Sequence, residues 1–260
     1  MPLETFQIWS DTGGSESDPH VLVPVALIAT ARKWARFNAR WNRVLAGHKV
    51  QQLHMFEFAH FKGAFSSWRG EDARRRAFLA ELISTIKHGI NKTYITGVVL
   101  PDYREADSRF QLTEMLGGPY SLGQAGALFR AFDWLWRTRP SQSGIQAFIE
   151  KGDAGQGAFM QFLRRERSWL PEIVPKVDPA TGLAHPAFQA ADFIAYEHRL
   201  AYQKRVEMGV APKLRGSFEA LRESLPIDVG IADQVMIAQF IESQRVPPRK
   251  SSLPEATLAS

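Results

Sequence analysis

Apolar and polar residues alternate along Thr5-Phe6-Gln7-Ile8-Trp9-Ser10 and give way to Asp11-Thr12-Gly13-Gly14-Ser15, so the chain is expected to open with a β-strand that ends near Asp11. Val21 to Ala29 is almost continuously apolar, and the short loop before it makes it an antiparallel partner; Pro24 inside it predicts an edge position or a bulge. Thr30 can cap a helix through about Ala46, with Trp34, Phe37, Trp41 and Leu45 at helical spacing and Arg32, Lys33, Arg36, Arg40 and Arg43 carrying charge. Val50 to Glu57 reads as a short extended piece. Glu71 to His88 is a long helix, and its Arg74-Arg75-Arg76 cluster opposes the helix dipole, which points to a role besides helix stability.

Lys92 to Leu100 is the clearest strand, ended by Pro101-Asp102. A buried helix is expected over Ser121 to Arg139, a strand over Gly144 to Glu150, and then a glycine-rich loop, Lys151 to Gly157, leading to a helix through about Arg167. A short strand over Ile173 to Asp178 follows, with further helices over Pro212 to Leu225 and Ile231 to Ile241. The polar, proline-rich residues 246–260 read as a disordered tail.

Most constrained is His185 to His198. Pro186 opens a helix with small residues at 187, 190, 191 and 195 and large apolar ones at 188, 193 and 194. Gln189, Asp192 and Tyr196 share one face of it, and Glu197 lies beside them. A carboxylate on the small-residue side of a buried helix is costly unless it is paired or holds a cation. Either Asp192 is a first-turn carboxylate favoured by the dipole, with Gln189 bonded to a neighbouring loop, or it converges with other acids on a divalent metal.

Composition narrows the choice. With 260 residues and 45% hydrophobic content the chain can bury one core, so residues 1–245 are expected to form a single domain with helical insertions. It has no run of 18 apolar residues and no signal-like start, which predicts a cytoplasmic protein that does not cross a membrane. It has no cysteine, so any metal must be held by Asp, Glu, His or water, which favours Mg2+ or Mn2+. A net charge of +5 and a pI near 9.5 raise the case for nucleic acid only modestly. Glu150 and Asp153 sit at the carboxyl end of a strand, where open α/β sheets place ligands, although Asp beside glycine is also ordinary turn chemistry. His54 and Glu57 are near enough in sequence to share a site.

A hairpin, then alternating helices and strands, with acids at the first strand, at a later strand end and on a late helix, resembles the ribonuclease H-like plan. Three motifs make the resemblance specific: Ser10-Asp11-Thr12-Gly13, Leu53-His54-Met55-Phe56-Glu57, and Gln189-Ala190-Ala191-Asp192-Phe193-Ile194-Ala195-Tyr196-Glu197. On them the chain resembles the domain of unknown function 3800 family, which implies an α/β fold, a ribonuclease H-like mixed sheet flanked by helices, with helical additions. The resemblance further implies a metal-dependent nuclease. Asp11, Asp192 and one of Glu150 or Asp153 would hold two Mg2+ or Mn2+ ions, and His54 or Glu57 would order water or move a proton. Ser10, Gln189 and Tyr196 would support the site, and Lys and Arg side chains would hold a DNA or RNA backbone.

One departure matters: the family's leading aspartate falls on Ser10, so either Asp11 takes its role or the site is impaired. The alternatives are therefore a catalytically impaired nucleic-acid-binding protein and a protein-interaction module, for instance in a bacterial defence or mobile-element setting.

Overall fold

A computed structural model describes residues 4–138, 143–166, 169–209 and 214–244. Strands β1 (Glu4–Gly13) and β2 (Val21–Thr30) form the expected antiparallel hairpin, and β3 (Lys92–Val99) continues it antiparallel. β4 (Ser143–Glu150) lies parallel to β1, and β5 (Glu172–Val174) parallel to β4. A sixth strand, β6 (Ile227–Ala232), runs parallel to β3. The sheet order is β5-β4-β1-β2-β3-β6. An antiparallel opening whose later strands run parallel to the first, layered between helices, is the ribonuclease H-like mixed sheet that the motifs imply.

Side-chain alternation divides the core in two. On one face Val21, Val23, Val25 and Leu27 meet α1 (Ala31–Gly47), α3 (Asp72–Gly89) and α8 (Pro186–Met208). On the other, Phe6, Ile8, Leu22, Ala26 and Ile28 meet α6 (Pro119–Thr138), α7 (Gln156–Arg165) and α10 (Gln234–Gln244). Because β2 is buried on both faces, its sequence is apolar without a period of two. Thr30 caps α1 as expected, its Oγ1 accepting from Lys33 N–H at 3.3 Å.

Several expectations are corrected. β2 is central, so Pro24 marks no edge; the ladder to β3 pairs residues 21–22 with 98–99 and 25–28 with 92–95, and Pro24 falls in the gap. Pro101 stands just past the end of β3 as expected, but Leu100 belongs to α4 (Leu100–Phe110) and not to the strand; Pro101 lies in the first turn of α4, where a missing N–H costs nothing, and α5 (Leu112–Leu116) follows. Ile231 belongs to β6, not to a helix, because pairing with β3 outweighs the local pattern. The helix expected from Pro212 is α9 (Gly216–Ser224). Arg139, Arg167, Pro212 and the tail at 246–260 lie outside the described residues.

Two arginines of the α3 cluster, Arg74 and Arg75, have structural contacts, and Arg76 is exposed. Arg74 lies 4.1 Å over the Trp68 ring and donates to the His48 carbonyl at 2.8 Å. Arg75 stacks on Phe58 and Phe61 and donates to the Phe58 carbonyl at 3.3 Å. Together they clamp the segment between α1 and α3, which contains α2 (Met55–His60) and a 3-10 turn at Gly63–Trp68.

Deep in α8, His198 is 2% exposed, with Nδ1 2.8 Å from the Ile194 carbonyl and its ring 4.7 Å from Phe218. Burial disfavours the imidazolium and lowers the pKa to about 4, against a weaker opposing effect of that hydrogen bond. The unfolded chain therefore binds more protons than the folded one between about pH 6.5 and 4, and stability is lost as pH falls through that window, by up to about 3 kcal/mol. Denaturant titrations of wild type and His198→Gln across pH 4–7 should show a shallower pH slope in the variant.

Candidate metal centre

Three elements bring the acids together, and their advance along the chain is matched. On β1, residues 7, 9 and 11 point away from the Phe6–Ile8 core, toward α8. Trp9 stacks on Phe148 of β4 at 4.4 Å and meets Phe188 of α8 at 5.0 Å. Two residues further along a strand is about 6.6 Å, and four residues along a helix is about 6 Å. The next rung after Trp9, Phe148 and Phe188 is therefore Asp11, Glu150 and Asp192. The parallel register, with Ser10 opposite Ile149, puts Asp11 and Glu150 on one face. Beyond them Gly13 abuts Ala195: a Cβ at Gly13 would lie 3.0 Å from the Ala195 backbone. The small residues of α8 are what allow this close approach.

The electrostatics follow. Asp11 is 8% exposed, and its pKa is raised well above the usual carboxylate range by burial, then by Glu150 and Asp192; Lys176 and the N–H of Thr12, which donates to Asp11 Oδ1 at 2.7 Å, partly offset this. Burial also raises Glu150 and Asp192. Lys176 Nζ lies 3.2 Å from Glu150 Oε1. Burial opposes the Lys176 charge, but Glu150, Asp11 and Asp192 outweigh it and hold the lysine protonated. Glu150 Oε2 is buried without a hydrogen-bond partner.

The 53–60 segment is laid along the Gln189-Asp192-Tyr196 face. Gln189 Oε1 accepts from Trp41 Nε1–H at 3.1 Å and Leu53 N–H at 2.6 Å. Asp192 Oδ2 accepts from Met55 N–H at 2.8 Å, and Tyr196 Oη is 3.5 Å from His60 Nε2. Extended chain at Leu53-His54-Met55 buries residues 53 and 55 in the core and turns His54 out toward the acids, where it lowers the pKa values of Glu150 and Asp192. Asp192 stands in the second turn of α8, so a first-turn dipole role does not account for it.

Of the other expected residues, Glu57 stays beside His54 and the rest go elsewhere. Ser10 is fully buried and donates to Gln124 Oε1 of α6 at 2.9 Å, on the face away from the acids. Asp153 turns to Thr12 and Tyr120, and burial raises its pKa to about 6. Glu57 packs beside Gly63, with Oε1 4.0 Å from His54 Nδ1. Glu197 is 1% exposed and pairs with Arg215 at 3.6 Å and Ser217 at 2.9 Å. Lys176 is the site residue that sequence reading missed; its only signal was a position just past β5, the strand beside the one that carries Glu150.

Among the described residues no three His, Asp or Glu side chains stand close enough to close on one ion as they lie. The donor chemistry nonetheless fits a hard cation: three converging carboxylates, one with a buried and unpartnered oxygen, suit Mg2+ or Mn2+.

No protein-family profile and no curated protein matches the chain. Among solved structures it is similar to the crystal structure of Bst-RNase HIII in complex with Mn2+, at 15% identity and a TM-score of 0.44, and to that of a glutamine-to-alanine mutant of Bst-RNase HIII, at 16% and 0.44. Each match covers 85% of this chain and 60% of the other, so the chain spans about 60% of the length of those proteins. At this distance the likeness assigns neither chemistry nor family. Among the described residues, no helix is long and apolar enough to cross a membrane.

Raised carboxyl pKa values mean that the ionised acids weaken the metal-free fold: their contribution to stability is full below about pH 4 and lost as pH rises through the folded-state values. Asp11→Asn keeps the oxygen that accepts from Thr12 and removes the charge. It should raise the melting temperature of chelator-treated protein at pH 7, each kcal/mol of relief appearing as roughly 2–4 °C, and the gain should shrink toward pH 4. Differential scanning calorimetry reads both effects.

Proposed function

We propose that this chain is a divalent-metal-dependent phosphodiesterase of the ribonuclease H-like type acting on nucleic acid, and a member of the domain of unknown function 3800 family. The observation that carries the reading is the convergence of Asp11, Glu150 and Asp192 from β1, β4 and α8 on one buried spot, at a cost to stability that no internal pairing of the three relieves in full. Groups kept at such a cost are candidates for function. Ser10 at the family's aspartate position removes no carboxylate from this spot, because Asp11 is the residue that faces it.

Asp11, Glu150 and Asp192 would be the ligands. A bound Mg2+ or Mn2+ would polarise a phosphoryl oxygen and lower the pKa of a water. His54, with its side chain 40% exposed beside the acids, is placed to move a proton to or from that water. The 53–60 segment, pinned by Gln189 and Asp192, keeps His54 in place. Exposed Arg32, Arg36 and Arg43 of α1 supply charge for phosphates and carry no base readout. DNA and RNA are both compatible with such contacts.

The second reading, a protein that binds nucleic acid or a partner without cleaving it, draws on one observation: Lys176 already neutralises part of Glu150. Labelled single- and double-stranded DNA, RNA and RNA–DNA hybrid, incubated with Mn2+ or Mg2+ and separately with chelator, distinguish the two. Metal-dependent cleavage is expected, with Asp192→Asn and Asp11→Asn each slower by more than about 100-fold, beyond the loss typical of an outer-shell partner. A mobility shift without cleavage of any substrate selects the second reading.

A further inference from the structure

The backbone around Lys176 aims its ammonium at the acids. Val174 O accepts from Lys151 N–H at 2.8 Å, which ties the end of β5 to the end of β4. Lys176 O accepts from His185 N–H at 3.0 Å, which ties the same stretch to the cap of α8. With both flanks held and Pro175 between them, the side chain reaches in from the β5 side, one-third exposed, and its Nζ stops 3.2 Å from Glu150 Oε1. Lys176 is thereby set among the three carboxylates that β1, β4 and α8 supply.

Charge counting then limits what else can enter. Asp11, Glu150 and Asp192 carry three negative charges when ionised, Lys176 returns one, and His54 in its neutral form adds none. Two negative charges remain, which one divalent cation cancels. A second divalent cation would make the spot net positive and would sit beside an ammonium whose like charge repels it, the more strongly for being partly buried. Glu150 is divided in a way that matches: Oε1 is engaged by Lys176, while Oε2 is buried and without a partner.

Resting on the phosphodiesterase reading, we infer that Lys176 stands in for the second cation, so that the centre takes one divalent ion per chain rather than the pair expected from the family resemblance. In that arrangement the ammonium lies within the site and faces the scissile phosphate as a fixed positive charge, where a second ion would otherwise lie. No bond forms or breaks at Lys176.

Mn2+ alone is the probe. Calorimetric titration and electron paramagnetic resonance counting of bound Mn2+ are run at pH 7.5 on wild type, Lys176→Met and Lys176→Arg, with melting curves of the metal-free proteins. Wild type and Lys176→Arg should bind one ion per chain. Lys176→Met, stripped of its charge, should bind two, should melt lower than wild type without metal, and should recover most of that difference at saturating Mn2+. If Lys176→Met does not fold, Lys176→Gln takes its place with the same expected outcomes. Two ions on wild type overturn this inference and leave the phosphodiesterase reading intact. So does one ion on both wild type and Lys176→Met with unchanged metal-free melting. Failure of every form to bind Mn2+ overturns both.

Discussion

The close passage of α8 along β1 is the constraint on which the rest of the structure depends. Alanines at 187, 190, 191 and 195 and glycine at 13 leave too little side chain to hold helix and strand apart, and the backbones come to near contact at Gly13 and Ala195. A larger side chain at either position would lift α8 and separate Asp192 from Asp11. The same approach removes water from the acids, so the packing that places the three carboxylates is also what makes them repel. Lys176 relieves that repulsion in part. The site and its energetic cost thus have a single origin in helix–sheet packing.

A second layer fixes the segment that crosses α8. Gln189 and Asp192 accept the N–H groups of Leu53 and Met55, which a short extended stretch with no strand partner would otherwise leave unsatisfied. From the other side, Arg74 and Arg75 bind carbonyls of the same region and stack on Trp68, Phe58 and Phe61. His54 projects from a backbone held at Leu53 and Met55 on either side of it, which limits how far its side chain can move. Asp192 has two roles here, since the oxygen that orders Met55 belongs to the same carboxylate that faces Asp11.

The two ends of β1 and β4 show how strand alternation sorts polar residues. Ser10 and Asp11 are adjacent, yet one bonds to Gln124 on the α6 face and the other joins Glu150 and Asp192 on the α8 face. Glu150 ends β4 on the α8 side, while Asp153, beyond the turn, swings to Tyr120 and Thr12. Ser10 and Asp11 are separated by the sheet itself, which no side chain can cross, whereas Asp153 lies past the strand end, turned to Thr12 and Tyr120 yet near enough to Glu150 to feel its charge.

The amino-acid sequence by itself determined the opening hairpin, the helix capped by Thr30, the helices expected from Glu71, Ser121 and Pro186 to within a turn of where they start, and strands β3 and β4, because each carries its own period of apolar residues or its own cap. It also determined that Gln189, Asp192 and Tyr196 share a face, since that follows from helical spacing alone. What only the tertiary structure decided is everything that depends on a neighbour. β6 is a strand because β3 offers an edge, Pro24 is tolerated centrally because the ladder lapses there, Arg74 and Arg75 are clamps because aromatic rings lie beneath them, and Lys176 belongs to the acids because β5 pairs with β4. Local period records which side of an element is apolar; it does not record which element lies against that side, and the choice among Glu150, Asp153 and Ser10 rested on that second fact.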